Sequence, residues 1–426
     1  MSELVINGQR PLHGEISIHG AKNAVLPILA ACILNPGECV LHNCPDLKDV
    51  TSAIEILKYL GCTVQKDKGT IVVNSKNITC NCIPDELMRE MRSSVIFLGA
   101  VISRCKQTKI TYPGGCELGP RPIDLHLKSL QKLGIKIRES HGEISAAANT
   151  LMGSTVYLDF PSVGATENVI LTAVMARGIT VLQNAKGRTK IINCAKEPEI
   201  VDLQNFLNQM GCRVRGGGTA EIMIDGVAEL HDVEHDVIPD RIVAATVLSA
   251  VGLCGGDVCI KKVIPEHIAS ITSVIRDCGC DVTIDKNEIR MLSQGRVRAI
   301  DKITTSPYPG FPTDAQPVVM AMLTCANGSS IISETIFENR FKHVDGLLKM
   351  GADVKIDGRT AVIRGVPALS GADVRATDLR GGAALLVAAL GAKGVSRIGD
   401  IYHIDRGYES IETMFTGLGA QVAREE

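Results

Sequence analysis

A cysteine that follows two glycines and precedes an arginine by five residues is well placed for thiol chemistry. Cys116 lies in Pro113-Gly114-Gly115-Cys116-Glu117-Leu118-Gly119-Pro120-Arg121-Pro122. The glycines give a reactant access, and a nearby cation favours the thiolate. The plain alternative is an exposed turn cysteine. Asp314, in Phe311-Pro312-Thr313-Asp314, is the best candidate general base. Lys22, Arg92 and Arg380 stand where apolar helices are expected to begin. A helix start already carries partial positive charge, so a cation there is unfavourable until an anion arrives. Arginine meets carboxylates and phosphates with paired hydrogen bonds. A rim of such cations points to a multiply anionic small molecule. Ser162, Thr313 and Asp378 read more simply as helix N-caps.

These residues need a large scaffold. The 426 residues exceed one ordinary core and suit two domains of about 200. With 45% hydrophobic and 22% charged residues the composition is globular. A net charge of −2 supplies no general attraction for nucleic acid or anionic membrane, so an anion site has to be built locally. The start of the chain lacks the apolar segment of a signal peptide. The longest apolar stretch, residues 242–254, is too short to span a bilayer and reads as a buried helix. Fifteen irregularly spaced cysteines are no disulfide framework, and Cys80, Cys82, Cys278 and Cys280 lack zinc-site spacing. Most are expected to be small buried hydrophobes in a reducing cytosol, with no metal and no cofactor.

The chain repeats itself. Apolar helix ends followed by glycine and a strand pattern recur at Gly61, Gly134, Gly211, Gly279, Gly351 and Gly419, 68 to 77 residues apart. Each glycine suits the left-handed position after a helix. Between these amphipathic helices runs a second helix, apolar all round, that also ends near a glycine and belongs in an interior. The repeat is strand, helix, strand, helix, strand. The expected fold is α/β: a two-domain inside-out α/β barrel of six βαβαβ-type units, three per domain. Polar residues recur at the N-terminal edge of each apolar helix, and in the loops into the amphipathic helices, as at Glu197-Pro198-Glu199, Glu338-Asn339-Arg340 and Asp405-Arg406. The cleft between lobes is where these rims are expected to meet.

With these motifs in hand, the chain resembles the enolpyruvyl transferases, specifically the UDP-N-acetylglucosamine 1-carboxyvinyltransferase family, essentially end to end. The matching segments include Gly20-Ala21-Lys22-Asn23, Met91-Arg92, the Cys116 loop through His126 and Ser162-Val163-Gly164-Ala165-Thr166. They continue with Pro239-Asp240-Arg241, Phe311 to Asp314, Phe337-Glu338-Asn339-Arg340-Phe341, Asp378-Leu379-Arg380 and His403 to Glu409. The resemblance implies transfer of the enolpyruvyl group of phosphoenolpyruvate to the 3′-hydroxyl of UDP-N-acetylglucosamine, opening peptidoglycan synthesis. It implies Asp314 as base and Cys116 as general acid, the thiol that the epoxide fosfomycin attacks. Lys22, Arg121 and Arg406 would hold phosphate, with Asn23 also at phosphoenolpyruvate, and Arg340 and Arg380 its carboxylate. Asn23, Arg92, Pro122, Ile123, Asp124, Leu125, Ser162, Val163, Gly164, Asp314 and Ile336 would meet the UDP-sugar. The implied partners are these two small molecules, without nucleic acid or membrane. The implied lobes are residues 22–238, with the Cys116 loop, and residues 1–21 plus 239–426, with Asp314.

Two departures stand out. Residues 185–193 look like a tandem copy of 176–184, just before Glu197-Pro198-Glu199, and Val243 replaces an expected acidic residue at the rim. The rival readings are a non-catalytic paralogue that binds UDP-sugar and regulates the pathway, and the shikimate-pathway enolpyruvyl transferase.

Overall fold

A computed structural model describes residues 2–114, 123–183 and 194–425. The described residues form two compact units, one of residues 20–114, 123–183 and 194–238, the other of 2–19 and 239–425. Gly20 and Ala21 go with the first, where the Ala21 amide donates to the Ile238 carbonyl at 2.7 Å.

Each unit is built around three helices rich in small and aliphatic residues. In the first these are α1 (Lys22–Ala31), α2 (Phe97–Cys105) and α3 (Val163–Ala173). In the second they are α4 (Arg241–Cys254), α5 (Gln316–Leu323) and α6 (Leu379–Gly391), which pack against one another. Residues 242–253 of α4, all of α5 and residues 380–390 of α6 are buried, as an all-round apolar sequence requires. Val243 is one of them, 1% exposed in the core. Val243 lies in the first turn of α4, where its amide donates to the Asp240 side chain at 3.1 Å. No helix among the described residues is long and apolar enough to cross a membrane.

Among the described residues, five four-stranded sheets and one of three strands surround these helices, and the four-stranded ones share one order. In the first unit, Val233–Asp236 runs parallel to Glu38–His42, which pairs antiparallel with Thr70–Asn74 and that with β1 (Thr63–Asp67). The other strands at this sheet edge are β2 (Lys136–Ser140), β3 (Arg213–Arg215), β4 (Asp281–Asp285), β5 (Asp353–Asp357) and β6 (Gln421–Glu425). Each follows one of the six glycines, whose φ values lie between 87° and 105°. The glycine lets the chain leave the helix in a left-handed turn and swing onto the sheet edge. The apolar helices are less uniform: α2 leaves through Lys106 at φ 62°, so its expected glycine is a lysine. The N-terminal strand Glu3–Asn7 lies between Val395–Gly399 and β6.

Candidate functional site

In the second unit, Asp314 sits just before α5 between two arginines drawn from distant sequence. Arg340 Nη2 donates to its Oδ1 at 2.8 Å, and Arg380 Nη2 and Nε donate to Oδ2 at 3.2 and 3.3 Å. The arginine side chains are 2% and 3% exposed, while Asp314 keeps 27%. Arg340 also donates twice to the Thr313 carbonyl, at 3.2 Å. Arg380 lies over the Tyr408 ring, with Cζ 5.6 Å from the centroid. Burial works against its charge, but Asp314, Tyr408 and Asp240 outweigh that and raise its pKa. Asp378 caps α6, accepting from the amides of Arg380 and Gly381 at 3.1 Å. Ser162 likewise caps α3 through the Ala165 amide. Thr313, expected as a cap, is not one. The residue preceding α5 is Ala315, and the Thr313 hydroxyl donates to Glu334 at 2.9 Å.

In the first unit, Lys22 opens α1 with its Nζ 2.6 Å from Asp49 Oδ2, the side chains 10% and 3% exposed. Lys22 and Arg380 thus already have internal carboxylates. This corrects the expectation that cations at these helix starts must wait for an outside anion. Arg92 begins a short 3-10 turn, Arg92–Ile96, that leads into α2. The expected UDP-sugar segments are tied together by His126, in the helix Asp124–Lys132. Asn168 Nδ2 donates to His126 Nδ1 at 2.7 Å and to the Val95 carbonyl at 2.9 Å, while its Oδ1 accepts from Gly99 N at 2.7 Å. Gly164 lies so close to the imidazole that a Cβ would stand 3.1 Å from its Cε1. Ile123 is buried; Asn23, Arg92, Asp124, Leu125, Ser162, Val163 and Gly164 are half-buried.

Of the other expected residues, Ile336 is half-buried in the second unit. Arg406 ends the 3-10 turn Ile401–Arg406, where a loop was expected, and its neighbour Asp405 is held by Arg424 at 2.8 and 3.1 Å. Cys116, Arg121, Pro122 and the second copy of the duplicated segment lie outside the described residues. Glu197 directly precedes the helix Pro198–Gln209, and Glu199 is in its first turn. Among the described residues no group of three or more His, Cys, Asp or Glu side chains is placed to hold a metal ion. Sequence reading missed Asp49 and Glu334. Each is a carboxylate buried to within 2% of full coverage, a rarity when charged groups favour water, but burial of an individual acid leaves no mark in sequence.

Two buried imidazoles set a pH dependence. Burial, aided by Arg92, lowers the His126 pKa from 6.5 to about 4. Burial, aided by Arg340 against Asp378, does the same at His343. Both folded values lie below the unfolded value, so this stability is present above pH 6.5 and is lost as pH falls toward 4. The urea midpoint is expected to drop across that window, and His126→Asn to flatten part of the drop. A midpoint independent of pH there contradicts neutral buried rings.

The chain is similar to known proteins in both sequence and fold. The family pattern described as EPSP synthase (3-phosphoshikimate 1-carboxyvinyltransferase) matches residues 6–415. The crystal structure of the enolpyruvyl transferase NikO from Streptomyces tendae superposes with a TM-score of 0.88 at 23% identity, covering 99% of this chain and 98% of that one. An EPSP synthase from Acinetobacter baumannii gives 0.76 at 16%, covering both chains fully. The fold is the α/β fold of the enolpyruvyl transferases. At the level of sequence, the UDP-N-acetylglucosamine 1-carboxyvinyltransferase 2 of Caldanaerobacter subterraneus subsp. tengcongensis is 51% identical over 424 residues, covering 100% of each chain. The UDP-N-acetylglucosamine 1-carboxyvinyltransferase 1 of Symbiobacterium thermophilum is 49% identical, covering 99% of this chain and 94% of its own. The chain belongs to the UDP-N-acetylglucosamine 1-carboxyvinyltransferase family.

Proposed function

We propose that the protein transfers the enolpyruvyl group of phosphoenolpyruvate to the 3′-hydroxyl of UDP-N-acetylglucosamine and releases phosphate, a step that feeds peptidoglycan synthesis. Full-length identity to relatives of that name supports the substrates. The observation that carries the chemistry is the carboxylate of Asp314 held between two buried guanidiniums. Asp314 takes the hydroxyl proton as the sugar oxygen bonds to C2 of the enol. A proton from Cys116 reaches C3, giving a tetrahedral intermediate; loss of a C3 proton then expels phosphate and restores the double bond. Lys22, Arg121 and Arg406 stabilise the phosphate charge. Asn23 adds a contact to phosphoenolpyruvate and, with Arg92, Pro122, Ile123, Asp124, Leu125, Ser162, Val163, Gly164 and Ile336, to the UDP-sugar.

Arg340 and Arg380 take the phosphoenolpyruvate carboxylate. Because Asp314 now holds both, the incoming carboxylate replaces it as their partner and leaves it free to act as a base. The reading also takes the six sheets as six βαβαβ units, three per unit, wound inside-out around the buried helices. The lobe bounds follow the resemblance, 22–238 and 1–21 plus 239–426, except that Gly20 and Ala21 go with the first unit.

The test is phosphate release from phosphoenolpyruvate with no acceptor, with UDP-N-acetylglucosamine, or with 3-phosphoshikimate. Release is expected only with the UDP-sugar. Release with 3-phosphoshikimate overturns the acceptor, and tight UDP-sugar binding without turnover points to a regulatory paralogue.

A further inference from the structure

We infer that Glu334 is a positioning residue for this reaction, fixing the general base and the Ile336 loop through one buried carboxylate; the inference rests on the role proposed for Asp314. Glu334 follows the strand Ser329–Ser333 and is 1% exposed. Its Oε1 accepts from Thr305 Oγ1 at 3.0 Å, Ile336 N at 2.8 Å and Phe337 N at 3.0 Å. Its Oε2 accepts from Thr313 Oγ1 at 2.9 Å. Thr305, wholly buried, joins the same knot: its Oγ1 accepts from Thr335 N at 2.9 Å, and its carbonyl accepts from Thr335 Oγ1 at 2.6 Å.

All four partners act as donors, and two of them are backbone amides that can do nothing else. A carboxylate taken out of water needs such partners to offset lost hydration. What they fix is specific. Thr313 directly precedes Asp314, and its hydroxyl is held by Glu334 while its carbonyl is held by Arg340. Ile336 and Phe337 begin the turn that carries Arg340, and Arg340 lies over the Phe337 ring, 5.6 Å from its centroid. Removing Glu334 therefore releases the base and its arginine partner together. A shift of about 1 Å at a reacting group can cost about 10²-fold in rate.

The experiment compares wild type with Glu334→Ala, Glu334→Gln and Thr313→Val, measuring kcat, KM for each substrate, UDP-N-acetylglucosamine binding and Tm. Glu334→Ala should lower kcat about 10²-fold and weaken UDP-sugar binding through the Ile336 loop. Thr313→Val keeps volume but removes the donor to Oε2; it should lower kcat about tenfold and leave UDP-sugar binding near wild type. Glu334→Gln keeps an oxygen for the two amides and should restore binding more fully than kcat. Wild-type kcat in both folded Glu334→Ala and Thr313→Val overturns the inference. Should Glu334→Ala not fold, Thr313→Val decides alone, and wild-type kcat there overturns it. A wild type without turnover sinks the parent reading and this one with it, whereas active wild type with undisturbed variants sinks only this one.

Discussion

Asp314→Asn is expected to lower kcat for phosphate release by about 10²–10⁴-fold, the usual range for loss of a positioned general base. It should do so without raising KM for phosphoenolpyruvate. The KM effect is the more discriminating. In the wild type the carboxylate occupies both Arg340 and Arg380, so it competes with the substrate carboxylate for the same donors. The asparagine keeps the shape but surrenders the charge, and the two guanidiniums become better anion receptors. A KM several-fold higher, with kcat little changed, places Asp314 in substrate binding rather than proton transfer. The variant should also lose about 1–3 kcal/mol of stability. That is less than the ~3–5 kcal/mol for breaking a fully buried pair, because Asp314 retains contact with water.

A thiol-directed epoxide such as fosfomycin should modify one cysteine rapidly at pH 7, and Cys116→Ala should abolish that fast phase. The other cysteines are poor competitors. Burial pushes Cys44, Cys62, Cys194, Cys212, Cys254 and Cys278 up to about 12. It also raises Cys32, Cys105, Cys259, Cys280 and Cys325. A thiol with a pKa near 12 is only about one part in 10⁵ thiolate at pH 7, and thiolate is the nucleophile. Cys39 is wholly buried, which leaves half-buried Cys80 and Cys82 as competitors. Peptide mapping of the labelled protein checks the assignment. Undiminished fast labelling in Cys116→Ala moves the reactive thiol to another position.

Val243 shows how far sequence reading reached and where it stopped. Its neighbours marked a buried apolar helix correctly, because a helix without a polar face can only be interior. What surrounds position 243 was not legible, because it comes from the elements packed around α4. Thr313 failed similarly. Its hydroxyl satisfies Glu334, 21 residues away, rather than the adjacent helix start. Asp378 and Ser162 behaved as read, since a cap is satisfied within three residues of itself.

Local and periodic features were legible without the fold. Six glycines that close helices in left-handed geometry, six edge strands after them, and long apolar helices all follow from backbone sterics and from the 3.6- and 2-residue periods. The residue types of the candidate site were legible too, since few chemistries use aspartate, lysine and several arginines at helix starts. Their partners emerged with the packing. Lys22 meets Asp49, 27 residues on, and Asp314 meets Arg340 and Arg380, 26 and 66 residues on. His126 and Asn168 join across 42 residues. Pairing depends on the register and distance between packed elements, which no local pattern encodes. For that reason the sequence could name Lys22, Arg340, Arg380 and Asp314, but not that Asp314 holds the two arginines or that Asp49 holds the lysine.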